Sequence, residues 1–139
     1  MKKWILTLLI TFGSLNLFAT EKTRVENQND VPVLIYKDKS YELQVSGGKP
    51  EFRKVIENFK KGVDLVIYYS GTAGTFQPVE VIRAIIIDRK TGESLGDFPY
   101  EYKIANGKDF PQPKWKSDDK KISIEDETFD IKKDVQLPK

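Results

Sequence analysis

Pro50-Glu51-Phe52-Arg53-Lys54-Val55-Ile56-Glu57-Asn58-Phe59-Lys60-Lys61-Gly62 is the one segment of the chain whose apolar residues repeat at a helical spacing. Phe52, Val55, Ile56 and Phe59 recur at i, i+3, i+4 and i+7, which places them in a single stripe on a helix. Pro50 suits the first helical position, where its missing N–H costs nothing. Glu51 in the first turn, and Lys60 and Lys61 in the last, match the helix dipole. Gly62 supplies a C-terminal stop. The segment therefore predicts a helix of about three turns that needs its apolar stripe buried to persist.

On the N-terminal side, Val31 to Tyr36 is rich in strand formers, and Lys37-Asp38-Lys39-Ser40 is turn chemistry. Tyr41, Leu43 and Val45 then alternate with polar residues, the period of a half-buried strand. On the C-terminal side, Val63 to Tyr69 and Val79 to Asp88 are apolar runs that allow burial on both faces. Arg89-Lys90-Thr91-Gly92 reads as a hairpin turn, Glu93 to Ala105 as a returning strand interrupted near Gly96 and Pro99, and Lys121 to Asp126 with Thr128 to Lys132 as a final strand or hairpin. The order is two strands, one helix, then four or five strands, joined too closely for parallel crossovers. The expected fold is α+β: an antiparallel curved sheet of about six or seven strands with one helix packed on one face.

Residues 1–19 read as a secretory signal peptide. Lys2 and Lys3 form the positive start, Trp4 to Phe12 the apolar region, and Ala19 the small residue before the cut. The remaining organisation is a flexible lead-in at 20–30, one domain at 31–133 and a frayed tail at 134–139. The protein is expected in the periplasm or outside the cell, with no stable membrane insertion once the leader is cut. Removing Lys2 and Lys3 brings the 23 basic residues to parity with the 21 acidic ones. That balance argues against a nucleic-acid partner, which would need a basic surplus.

The chain has no cysteine and no histidine. Disulfides, thiol catalysis, Ser-His-Asp triads and the common zinc sites are thereby excluded. Glu125, Asp126, Glu127 and Asp130, with Asp118 and Asp119, are the carboxylates in quantity. They could serve a glycosidase or calcium, but they alternate with lysine at predicted turns, as solvated surface charges do. No catalytic residue, metal ligand or cofactor is assigned, and the chain is read as a non-enzyme.

Two loops offer binding chemistry. Tyr69, Ser70, Gly71, Thr72, Gly74, Thr75 and Phe76 combine small residues that permit close approach, adaptable hydroxyls and rigid aromatics. The stretch from Asn106 to Trp115 holds Phe110 and Trp115 on either side of the stiffening Pro111 and Pro113, and large aromatics dominate protein-binding hot spots. Ser70-Gly71 followed by Phe76 resembles, over those residues alone, the loop that periplasmic lysozyme inhibitors of the membrane-bound C-type class insert into their target. Those inhibitors are helix-poor β-barrels, commonly with a disulfide; this chain has no cysteine and an expected helix. The expected function is an exported binding module acting by protein–protein contact, such as an inhibitor or immunity-type protein against an envelope hydrolase or toxin. The alternatives are an assembly component pairing through an exposed strand edge near Lys121 to Lys132, and a carboxylate-dependent glycosidase. Six tyrosines (Tyr36, Tyr41, Tyr68, Tyr69, Tyr100 and Tyr102) could also form an outward aromatic platform.

Overall fold

The computed structural model describes residues 22–104, 110–118, 120–125 and 127–130. The expected leader at 1–19 and the tail at 134–139 lie outside them. Ten strands follow one another: β1 (Arg24–Gln28), β2 (Val31–Tyr36), β3 (Lys39–Glu42), β4 (Glu51–Lys60), β5 (Val63–Ala73), β6 (Val79–Asp88), β7 (Ser94–Ile104), β8 (Trp115–Ser117), β9 (Lys121–Ile124) and β10 (Glu127–Asp130). They form three antiparallel meanders in chain order: β1-β2-β3, β4-β5-β6-β7 and β8-β9-β10.

The four-stranded sheet is the middle layer. One of its faces packs Val66, Tyr68, Ile85 and Ile87 against Leu34, Tyr36, Tyr41 and Leu43 of the first meander and its continuation. The other packs Val63, Leu65, Ile67, Ile82, Ala84 and Ile86 against Ile122 and Ile124 of the third. Successive residues of a strand point to opposite faces. A strand covered on both sides is therefore apolar at most positions, and this is why β5 and β6 read as largely hydrophobic runs, with Asp64 and Arg83 as polar exceptions that have partners.

The expected α+β fold is overturned: no helix occurs among the described residues, and the predicted helix is strand β4. Its registration against β5 shifts between Phe52 and Lys54 and again between Ile56 and Lys60. Each irregularity inserts residues into an otherwise period-two strand. Phe52 and Val55 both face the first meander, separated by three positions because of the first bulge. Ile56 and Phe59 both face the third, separated by three because of the second. Val55 and Ile56, adjacent in sequence, serve opposite layers. Two bulges in a strand feeding two cores thus reproduce the i, i+3, i+4, i+7 pattern of a helix. Asn58, at φ 50°, takes the bend in the second bulge, and its N–H is held by Asp64 Oδ1 at 2.9 Å.

The lead-in expected to be flexible at 20–30 contributes β1, joined to β2 through Asn29 and Asp30. Both turn residues have positive φ, as do Lys37 and Asp38 between β2 and β3, the requirement of a tight two-residue hairpin. β5 extends past the expected Tyr69 to Ala73.

At one end of the sandwich the β2–β3, β4–β5 and β6–β7 turns meet over Asp64, which is completely buried. Tyr36 donates its hydroxyl to Asp64 Oδ2 at 2.8 Å. Lys37 and Arg89 reach the same carboxylate at 3.6 and 3.3 Å. A buried carboxylate survives only with such partners. Lys39 closes the arrangement by donating to Thr91 O at 2.6 Å.

Candidate functional site

The opposite end holds the first loop singled out in the sequence and Phe110 of the second, whose residues 106–109 lie outside the described ones. Beyond Tyr69 the β5 strand outruns β4, whose pairing starts at Glu51. Ser46 and Gly47 take over that edge: Ser46 N–H donates to Ser70 O and Thr72 N–H to Gly47 O, each at 2.8 Å. The two backbones come so close at Gly47 and Gly71 that a Cβ on Gly71 would overlap the Gly47 backbone, and one on Gly47 would lie 2.6 Å from Thr72 O. The Ser70 hydroxyl donates to Gln44 O and sits 2.9 Å from that of Ser46. Tyr69 packs on the core beside β9, shares a 2.8 Å hydrogen bond with the Thr72 hydroxyl, and lies under the Arg53 guanidinium. Ser70 and Gly71 are buried, and Tyr69 and Thr72 half-buried. These four candidates are built into the interior join.

Gly74, Thr75 and Phe76 stand in solvent. Gly74 has φ 95°, and a Cβ there would meet Gln77 O at 2.6 Å, so the turn is tight enough to throw Phe76 outward. Phe76 is fully exposed, at 104 % of its reference area. Beside it an open depression of about 430 Å³ is lined by Ala73, Gly74, Gln77, Val79, Val81, Tyr102 and Phe110. None of these carries a charge.

Phe110, from the second candidate loop, stands edge-on to Tyr102 with ring centres 5.4 Å apart. Its segment is held against β7 by Gln112, whose side-chain amide accepts from Tyr102 N–H and donates to Tyr102 O, both at 2.8 Å. Trp115 goes elsewhere. Its indole N–H donates to Pro99 O at 2.8 Å, and its ring meets Phe59 and Tyr100 edge-on between the second and third layers. The structure thus brings Gly74, Thr75, Phe76 and Phe110 to one surface, keeps Tyr69 to Thr72 beneath it, and places Trp115 in the core. Ala73 and Gln77 of the same loop, with Val79, Val81 and Tyr102, complete the depression; the sequence offers Tyr102 only for an aromatic platform and does not single out Val79 and Val81. Val79 and Val81 are alternate residues of a strand, and the alternation alone does not reveal which face lies open.

Three of the six tyrosines are unavailable to an outward platform. Tyr36, Tyr41 and Tyr68 are buried between the first two layers, their hydroxyls donating to Asp64, to Gly92 O at 2.6 Å and to Asp97 at 2.5 Å. Arg83 also holds Asp97, its Nε donating to Oδ1 at 2.7 Å. Burial pushes the Asp97 carboxyl above its ordinary range, against the pull of the Tyr68 and Arg83 donors. Burial, with Asp97 beside it, likewise raises Tyr68, which stays a protonated donor. Burial and Asp64 do the same to Tyr36.

Two of the C-terminal carboxylates serve local structure. Asp118 accepts from Lys120 and Lys121 N–H, which holds it below the usual range, and Glu125 accepts from Lys114 N–H. Glu80 and Glu101 share a depression of about 150 Å³ with Arg53, Lys54 and Lys103. Among the described residues no acidic group of three or more is placed to hold a metal ion.

The outer edges of the middle sheet are blunted. β4 is bulged twice, and β7 carries Pro99 and the strand-like amide of Gln112. β10 lies at the edge of the third sheet.

The fold and site together describe a three-layer antiparallel β-sandwich with an exposed aromatic beside an apolar depression at one end, whose lining among the described residues carries no charge. No protein-family model, curated protein or solved structure matches the chain.

Proposed function

We propose that this protein is an exported binding module acting by protein–protein contact, of the kind that restrains an envelope hydrolase or toxin. The observation that carries the reading is Phe76, a large aromatic wholly in solvent on the rim of an uncharged apolar depression. An exposed phenylalanine contributes nothing to folding, whereas its burial against a partner is worth roughly 1.5–3 kcal/mol. Aromatic anchors surrounded by near-neutral contacts are the usual centre of a protein interface. Ser70-Gly71, the pair shared with the lysozyme-inhibitor loop, is committed to the join with Ser46 and Gly47. The contact proposed here therefore centres on Gly74 to Gln77 and Phe110.

The test is retention of envelope proteins by the immobilised protein, compared with Phe76→Ser and Thr75→Lys. Both variants are expected to keep the wild-type denaturation midpoint and to lose whatever the wild type retains specifically. Equal retention by all three would refute the reading. A second reading, assembly through a strand edge, draws on the place of β10 at the margin of its sheet. Crosslinks to a partner mapping to β10 would favour it.

A further inference from the structure

The turn end has a recess of its own, beside the cage around Asp64. An open depression of about 290 Å³ lies between the β4–β5 and β6–β7 turns, lined by Asn58, Lys61, Gly62, Arg89 and Lys90. Three of these residues are cations and none is acidic. The exposed acids of the neighbouring turns, Asp38, Glu57 and Glu93, do not line it.

The fold holds its walls in place. Asp64 Oδ1 accepts the Asn58 N–H at 2.9 Å and lies 3.3 Å from Arg89 Nε. The Arg89 N–H donates to Gly62 O at 2.9 Å, which ties the two turns together. The other Asp64 oxygen is met by the Tyr36 hydroxyl at 2.8 Å and by Lys37 at 3.6 Å. Lys37 therefore shares with Arg89 the task of balancing the buried carboxylate.

A guanidinium carries five N–H donors. The Arg89 side chain is only 32 % exposed, yet its guanidinium donates no hydrogen bond to any described residue. Lys61 and Lys90 are exposed and make no ion pair with a described residue. A cationic fork steadied by a buried carboxylate, with its donors unspent and two ammonium groups on the adjoining turns, is built to receive a compact anion. Charge chooses between anions: a carboxylate brings one negative charge, a phosphate monoester nearly two at neutral pH. The fork also matches the oxygen spacing of a phosphate, while lysines act on it as point charges.

We propose that this recess binds a phosphate group, either free or carried as a lipid headgroup, with Arg89 holding its oxygens and Lys61 and Lys90 balancing its charge. Asp64 stays structural: it sets the position of Arg89 and Asn58 from beneath. The site lies at the end opposite Phe76, so an occupied recess leaves the loop tip open to a protein. The proposal does not depend on the contact reading.

The test is a titration of the purified, isotope-labelled protein with inorganic phosphate to about 20 mM, well above the Kd of about 1 mM suited to a small open site. Amide resonances are followed, with acetate at matched ionic strength as the comparison. Saturable shifts centred on Lys61, Gly62, Arg89 and Lys90 are expected with phosphate and not with acetate. Lys61→Gln combined with Lys90→Gln should weaken binding by about tenfold or more and leave the denaturation midpoint unchanged. Lys49→Gln combined with Lys116→Gln removes the same charge from exposed sites elsewhere and should leave the affinity as it is. Vesicles of phosphatidylcholine with and without phosphatidic acid then identify the source. Retention by the phosphatidic acid vesicles that the Lys61/Lys90 variant loses assigns the group to a lipid, and no retention assigns it to a soluble phosphate compound. Absence of saturable shifts with phosphate, an equal response to acetate, or equal losses in the two double variants would overturn the proposal.

Discussion

The two ends of the sandwich use their side chains in opposite ways. Where three hairpin turns meet, a carboxylate is taken wholly out of water and surrounded by Tyr36, the Asn58 N–H, Lys37 and Arg89. At the other end an aromatic is put wholly into water with an uncharged recess beside it. The first arrangement makes sense only as structure, because an unpaired buried charge would unfold the domain. The second adds nothing to structure. The contacts that hold the fold are therefore concentrated at the turn end and at the root of the loop, and the loop tip is where the proposed partner would bind.

That contrast can be broken experimentally. The largest effect is expected at the loop root, where Gly71→Ala forces a Cβ into the Gly47 backbone at φ 120°. It should cost about 4 kcal/mol or more, read as a collapse of the urea midpoint. A wild-type midpoint would show that the root is as free as the tip. Next comes Asp64→Ala, which strands the Tyr36 hydroxyl and the Asn58 N–H and removes the counter-charge of Lys37 and Arg89. A loss of about 3 kcal/mol is expected in the same measurement, and a neutral outcome would dissolve the difference between the ends.

A smaller effect belongs to Asp97, midway between the ends. Its carboxyl is raised from 3.8 in the folded state, so the fold favours the protonated form. The stability this group contributes is complete below pH 3.8 and is lost as pH rises through the higher folded value. Wild type should therefore lose stability relative to Asp97→Asn as pH climbs through that window. Denaturation curves that stay parallel across it would mean that Asp97 is not held in a buried site. The smallest stability effect is expected for Phe76→Ser, within about 0.5 kcal/mol of wild type.

Much of this architecture is legible in the chain, for reasons visible in particular residues. β2 and β6 begin and end where strand formers give way to turn chemistry, and the double-sided apolar runs of Val63 to Tyr69 and Val79 to Asp88 announce a covered sheet. β1 and β8 do not show, because Arg24–Gln28 and Trp115–Ser117 are short and mostly polar. β4 misleads for a physical reason. Apolar spacing reports which residues share a face only while the backbone is regular, and two bulges shift that phase twice. Pro50, Glu51 and the lysine pair then agree with the wrong answer by chance of placement. At the site, Phe76 and Phe110 stand out by type alone. Their meeting does not, since it depends on the β6–β7 registration that sets Val81 opposite Tyr102. Nor can composition distinguish Ser70-Gly71 from Gly74-Thr75: the same small residues serve a buried backbone join in one place and an exposed turn in the other.

The division between the ends is tested most directly by passing an envelope extract over wild-type and Phe76→Ser protein whose denaturation midpoints have been measured side by side. Matched midpoints, with loss of the specifically retained protein from the variant alone, are predicted. Identical retention, or a midpoint that falls together with retention, would contradict the account.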